Sequence, residues 1–496
     1  MSSPSKALTD HLAQAETSGA DLGRSTFVNS LWSYLSFALQ RGATFAATLV
    51  LVRYLSPAEF GLMGYCILAI AFLEVFSRFG LDAALISRSE RIDEASDVAF
   101  YLGMINGIVF FVLAWLTAPL IADFFDEPGI SKLLRVLALS LIIEATSIVH
   151  VARLQRDLQF RKKVIPDTAR GCLKGIVAVG LAFAGFGVWS LVIGHLAGTL
   201  IFSIALWVIV PWRPRRRFDP TLFRDFLHFG GHMWGVDLIG ALRTNIDYLL
   251  IGRILGTSPL GLYTIAYRFP DLVVNSLNNV VGTVTHPTLV RLRDDPEGMR
   301  TYYQSYVGYI AMLTLPAGFG IALVAEPFVR VFYTDAWLEM ILPMQCLAVA
   351  LGVSSIGFAP GVLYKAINRP DILNYVSIIK LPPMILFLWW STAYGLVGVA
   401  IAQIVLAILY ITLDSLIVRW VIGFGFRDLM SALWPPVAAT AVMVAGTYLL
   451  SEAFASMPII ELAVLAFGGA VLYLGALAAF APSRLAAALA VARGSR

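Results

Sequence analysis

Apolar runs of 20 or more residues recur along the whole chain. Each is long enough to cross about 30 Å of hydrocarbon as a helix. The runs are continuous rather than alternating. Inside a bilayer a continuous run must satisfy its backbone internally, which points to α-helices. Fourteen such spans are predicted: 27–52, 61–87, 97–121, 133–152, 164–185, 189–210, 230–252, 261–289, 303–325, 341–364, 372–393, 396–418, 431–451 and 459–480. A chain of 496 residues would otherwise suggest several soluble domains. Only 14% of its residues are charged, against about 25% in soluble domains. The expected fold is an all-α integral membrane protein.

The loops carry an orientation. Of the 36 Lys and Arg, 24 fall on the side of the N-terminus, with clusters at Arg153–Lys163 and Arg213–Arg224. Four fall on the opposite side: Arg53, Lys132, Arg253 and Arg330. The positive-inside rule then places both termini in the cytoplasm. Residues 1–26 read as a cytoplasmic tail and not as a signal peptide, because the first apolar run starts late and lacks a small-residue cleavage site. The RPRRR run at 213–217 lies between two spans, where a basic anchor is expected, so no nucleic-acid partner is inferred. Cys66, Cys172 and Cys346 all lie within spans and read as packing residues. No loop is long enough for a catalytic domain.

The chain repeats itself. At an offset of 200, the hairpin LVLVRYLSPAEFGLMGY at 49–65 matches LLIGRILGTSPLGLYTI at 249–265, pairing Arg53 with Arg253 and Gly61 with Gly261. At an offset of 208, Pro119 pairs with Pro327, Phe124 with Phe332, and Arg161 with Arg369. Spans 1–6 therefore match spans 7–12. An even number of spans per copy makes the repeat parallel, with its axis along the membrane normal. The expected organisation is a tail at 1–26, a six-helix bundle at 27–210, a basic linker at 211–229, a second bundle at 230–418, accessory helices at 431–480 and a tail at 481–496. Such bundles enclose a central cavity with alternating access.

Charges inside spans are costly in lipid, so each should face the interior, water or a partner. They are Arg41, Glu74, Arg78, Asp82, Arg135, Glu144, Asp167, Arg170 and Lys174 in the first half, and Asp237, Arg243, Asp247, Arg268, Asp271 and Lys380 in the second. Glu74, Arg78 and Asp82 share one helix face and read as an ion-pair ladder. Arg170 and Lys174 also share a face. Like charges four apart repel unless an anion lies between them, which makes this pair an anion-site candidate; the alternative pairs Arg170 with Asp167. Arg243 and Asp247 read as a structural pair or as part of a coupling device. No Walker A, HExxH or GxSxG sequence is placed to act. The chain therefore has no ATPase site of its own, no catalytic residue and no metal site are expected, and an ion gradient, the potential or substrate removal must drive any transport.

The stretches RYLSPAEFGLMGY, LQRDLQFRKKVIPD at 154–167, LRTNIDYLLIGRILG at 242–256 and YTDAW at 333–337 together resemble the polysaccharide transporter family, the Wzx-type oligosaccharide-lipid flippases of the multidrug/oligosaccharidyl-lipid/polysaccharide exporter superfamily. The likeness is nearest to the colanic acid and xanthan exporters and covers roughly residues 25–425. It implies a bacterial inner-membrane protein that moves an undecaprenyl-diphosphate-linked oligosaccharide to the periplasmic leaflet, alongside the polymerase and glycosyltransferases of its pathway. A diphosphate entering a dry path needs fixed cations in place of water. Arg41, Arg170, Lys174, Arg243 and Arg268 are the candidates for binding it. Asp167, Asp247 and Asp271 are the candidates for coupling to H⁺ or Na⁺, with no other cofactor. Competing readings are a multidrug exporter, a flippase for the peptidoglycan lipid precursor, and a membrane polymerase or ligase. The first should carry a carboxylate-rich cavity and the last a large periplasmic loop.

Overall fold

The computed structural model describes residues 39–78, 80–88, 90–216, 219–454, 457–484 and 486, with the backbone alone at 229–234, 236, 280, 283, 284 and 452–454. The expected N-terminal tail, the start of the first span, Arg217 and residues 487–496 lie outside the described residues. Every described element is helical. The first half runs α1 (39–51), α2 (Pro57–Arg78), α3 (Leu81–Ser87), α4 (Ile92–Phe125), α5 (Gly129–Leu137), α6 (Leu139–Ala145), α7 (Ile148–Arg156), α8 (Phe160–Phe183) and α9 (Trp189–Ile209). The second runs α10 (Pro220–Leu250), α11 (Thr257–Arg291), α12 (Pro296–Phe332), α13 (Ile341–Ser354), α14 (Ala359–Ala366), α15 (Asp371–Ser391) and α16 (Gly395–Ile422), followed by α17 (Phe426–Phe454) and α18 (Pro458–Phe480).

From the second onward, each expected span lies on one of these helices or on a short chain of them, and the described part of the first lies on α1. Among the described residues, eight helical stretches are long and apolar enough to cross a membrane, or nine if one bent pair counts as a span. The helices α8, α10 and α11 are long too, but they carry the interior charges. Two expected spans are broken rather than straight. The second breaks at Gly80, whose φ of 61° is a left-handed conformation that suits glycine. The fourth bends by 43° between Ala145 and Ile148. There Thr146 donates to the Ile143 carbonyl (2.6 Å) and Ser147 to the Glu144 carbonyl (2.9 Å), satisfying backbone that the bend frees.

The two halves meet through the residues that repeat. A Cβ on Gly61 would lie 1.9 Å from the Thr257 carbonyl oxygen, and one on Gly261 would lie 1.8 Å from that of Pro57. Pro57 and Thr257 are themselves 200 residues apart, so the contact is reciprocal, as across a twofold axis. The other contacts cross in the same way. Arg53 donates to the Phe332 and Val331 carbonyls (3.4 and 3.3 Å), while Arg253 stacks over Phe124 at 5.6 Å. Trp337 Nε1 donates to the Val52 carbonyl and the Tyr65 hydroxyl to that of Gly252, each at 2.9 Å. All of these lie on the side away from the basic loop clusters, and one large apolar cluster joins both halves there.

Small residues set the spacing of the helices that position the site, as is usual where lipid supplies no hydrophobic drive. Gly194 and Gly198 of α9 abut the backbone and Cβ of Lys174, and Gly171 and Gly175 bring α8 against α1. The helices α17 and α18 pack on each other and on α12, where Tyr473 donates to the Met312 carbonyl (2.6 Å). Of the three cysteines, Cys66 is buried, Cys346 half-buried and Cys172 exposed, so Cys172 does not serve packing.

Candidate functional site

Three of the five expected phosphate-binding cations converge where α1, α8 and α11 meet. Lys174 and Arg268 line one cavity of about 50 Å³ at the seam between the halves, with Thr44, Thr48 and Thr264. Arg268 donates to the Thr48 hydroxyl at 2.5 Å, and Thr48 in turn donates to the Thr44 carbonyl. Among the described residues, no carboxylate forms an ion pair with Lys174 or Arg268, and none lines their cavity. Arg41 is nearby on α1 but is neutralised: it pairs with Asp271 of α11 at 2.5 Å, an ion pair that ties the halves together. Asp271 also accepts from Asn275.

Arg170, one turn before Lys174, does not pair with Asp167. Its partner is Glu144 of α6 at 2.6 Å, and Asp167 pairs with Lys163 at 3.0 Å. Spacing shows only neighbours on the same helix, whereas the bend after α6 delivers Glu144 from another one. The ladder expected of Glu74, Arg78 and Asp82 forms only in part, and Asp82 falls on α3. Arg78 bridges Glu74 (3.1 Å) and Glu144 (3.2 Å), while Asp82 accepts from the Ala83 amide (2.8 Å). These groups line a second cavity, of about 260 Å³, within the first half.

Arg243 lies apart from this group. It is exposed and makes no ion pair with Asp247, contrary to the pairing expected. The buried Asp247 instead accepts from the Tyr263 hydroxyl (2.8 Å), Gln403 Nε2 (3.1 Å) and the Tyr248 amide (2.9 Å), so α11 and α16 hold it, among the described residues, without a cation. Lys380 binds both oxygens of Asp414 (2.6 and 2.8 Å), a residue the sequence reading overlooked inside an apolar run. Tyr263, Gln403, Thr48 and Glu144 also escaped it as site groups; Glu144 alone had a signal, being the one acid within its span.

The geometry is that of a polytopic helical membrane protein with a cation-lined cavity where the two copies of the internal repeat meet. The chain belongs to the family described as polysaccharide biosynthesis protein, whose match covers residues 50–342. The lipopolysaccharide biosynthesis protein WzxC of Escherichia coli K12 is 25% identical over 426 residues, 84% of this chain and 85% of that protein. The succinoglycan biosynthesis transport protein ExoT of Rhizobium meliloti is 26% identical over 322 residues, 65% of each chain. In fold, the chain is similar to the lipid II flippase MurJ in an inward closed conformation (TM-score 0.74, 16% identity, 92% of this chain and 98% of that one). It is also similar to an inward-facing multidrug MATE transporter (TM-score 0.63, 16% identity, 78% and 98%).

Proposed function

We propose that this protein translocates a polyprenyl-diphosphate-linked oligosaccharide across the bacterial inner membrane during polysaccharide biosynthesis, by alternating access, with both termini cytoplasmic. It is a transporter and not an enzyme. The reading supposes fourteen spans arranged as two six-helix bundles with α17 and α18 added. The observation that carries it is the pair Lys174 and Arg268, two cations on one cavity at the seam that, among the described residues, form no ion pair with a carboxylate. Like charges held in a low-dielectric cavity repel, and a bound diphosphate relieves that repulsion. Arg41 and Arg170 flank the pair and can exchange their carboxylates for phosphate; Arg243 joins only when the halves move. A cavity of about 50 Å³ holds a few waters and no sugar diphosphate. Substrate therefore enters a state in which the halves have parted on the cytoplasmic side.

Next to α17 an apolar cavity of about 770 Å³, lined by residues such as Phe319, Ile408, Val437 and Val444, suits part of the polyprenyl chain. For coupling, Asp247 is the favoured group. Asp167 and Asp271 are held by Lys163 and Arg41, whereas among the described residues only neutral donors hold Asp247. A multidrug exporter reading fits less well, because the seam cavity carries cations.

The test is binding and export together. Lys174→Gln and Arg268→Gln should each weaken binding of farnesyl diphosphate to the purified protein by about tenfold or more, the range for one charge-assisted hydrogen bond. Export in cells should fall while the amount of folded protein stays normal. Unchanged affinity and export in both variants would overturn the site.

A further inference from the structure

The 260 Å³ cavity of the first half differs in chemistry from the seam cavity one turn of α8 away. Glu74, Asp82, Glu144 and Asp167 line it, together with Arg78, Lys163 and Arg170. Four carboxylates against three cations leave no excess positive charge to hold an anion. Its charges are also largely spent on one another. Arg78 joins Glu74 and Glu144, Arg170 joins Glu144, and Lys163 joins Asp167. Those ion pairs fix the groups without exhausting them. A carboxylate has about four acceptor sites and a guanidinium five donors, so each keeps unused capacity. Glu144 gives one oxygen to each guanidinium, and among the described residues no ion pair reaches Asp82.

A rigid, overall near-neutral array of strong acceptors and donors suits a neutral polyhydroxylated ligand. Each hydroxyl of such a ligand can donate to a carboxylate and accept from a guanidinium. The volume lies at the lower edge of small-molecule pockets, which start at about 300 Å³, so it admits one sugar ring and not an oligosaccharide. Arg170 faces this cavity and Lys174 the seam cavity. Four residues of helix separate them by about 6 Å along the axis, the scale of a phosphate bonded to a sugar.

We infer that the first-half cavity is a carbohydrate subsite, and that it reads the sugar bonded directly to the diphosphate held by Lys174 and Arg268. The inference rests on the proposed function and deepens it, because it divides one substrate between two chemically distinct cavities. Recognition by the subsite would be set by hydroxyl pattern rather than by charge.

The experiment compares affinities of the purified full-length protein for farnesyl diphosphate and for its glucosyl, galactosyl and N-acetylglucosaminyl conjugates. At least one conjugate should bind about tenfold more tightly than the bare diphosphate, the gain expected from one or two hydrogen bonds to charged groups. Asp82→Asn should erase that gain and leave affinity for the bare diphosphate unchanged, whereas Glu144→Gln should erase it while freeing Arg170, so that affinity for the bare diphosphate holds or rises. Asp82→Asn breaks no ion pair among the described residues, so it decides the matter if Glu144→Gln folds poorly. The inference is overturned if no conjugate gains affinity in the unaltered protein, or if the gain survives in every variant that folds. A failure of the underlying reading looks different: the unaltered protein would not bind the bare diphosphate, or Lys174→Gln would not weaken it, and the carbohydrate subsite would fall with it.

Discussion

Lys174 and Lys380 both lie in apolar helices, and they should respond to substitution in opposite ways. Lys380 binds both oxygens of Asp414, and the two side chains are only 11% and 6% exposed. Lys380→Met would leave a buried carboxylate alone, at a cost of about 3–5 kcal/mol. A lower unfolding temperature in detergent is the expected result, with recovery in Lys380→Met combined with Asp414→Leu. Lys174 has no ion-pair partner to orphan among the described residues, and its removal relieves repulsion with Arg268. Lys174→Met should keep or raise the unfolding temperature while abolishing export. Equal destabilisation by the two substitutions would show that Lys174 is structural. Outside the spans, Asp219 caps α10. The Thr221 hydroxyl and amide, with Arg91, hold its carboxyl below the usual range. A depressed carboxylate stabilises above its unfolded pKa of about 3.9 and loses that effect only as pH falls through the lower folded value. Asp219→Asn should therefore leave the shape of the export profile between about pH 5 and 8 unchanged, measured in cells against the unaltered protein.

At the scale of elements, the seal between the halves rests on two glycines. An alanine at Gly61 places its Cβ on the Thr257 carbonyl, and one at Gly261 meets that of Pro57. Both obstacles are backbone atoms, so no side-chain adjustment relieves them and α2 must separate from α11. We predict that Gly61→Ala or Gly261→Ala opens the seam from the side away from the basic loops. In a variant without native cysteines, a cysteine at Thr264, on the seam cavity, should then react faster with an impermeant maleimide added from that side. Unchanged labelling in folded protein would exclude a sealing role. The repeat made this interface legible: Arg53 reaches Phe332 and Arg253 reaches Phe124, and all four were already paired by their offsets. The ion pairs were not legible. Spacing on one helix offered Asp167 to Arg170 and Asp247 to Arg243, but tertiary packing brought Glu144 from α6 to the first and, among the described residues, left the second without an ion pair. The bend at Thr146 and Ser147 that makes the first exchange carries no proline or glycine to announce it.

At the scale of the whole molecule, orientation is tested first. Reporter fusions at Lys162 and Arg216 should report cytoplasm, and fusions at Glu127 and Asp335 periplasm, because 24 basic loop residues face four. A periplasmic signal at Arg216 would overturn both the span count and the repeat. The substrate also has two parts of opposite solubility, and the molecule offers two kinds of cavity to match. The seam cavity carries two cations, Lys174 and Arg268, and lies where the halves meet. The apolar one lies outside that contact, between α12, α13, α16 and α17, with no charged side chain among its lining residues. A polyprenyl chain held there stays in a hydrocarbon-like medium while its head group crosses, so the tail imposes no desolvation cost on the cycle. Filling the cavity should then disable transport without touching the head-group site. Ala441 and Ala445 line it one turn apart on α17. Ala441→Trp or Ala445→Trp should abolish or sharply lower export and weaken binding of a long-chain polyprenyl diphosphate, while affinity for inorganic pyrophosphate stays as in the unaltered protein. Loss of both affinities would mean that the tryptophan had disturbed the seam, and normal export with the cavity filled would remove the tail from this part of the fold.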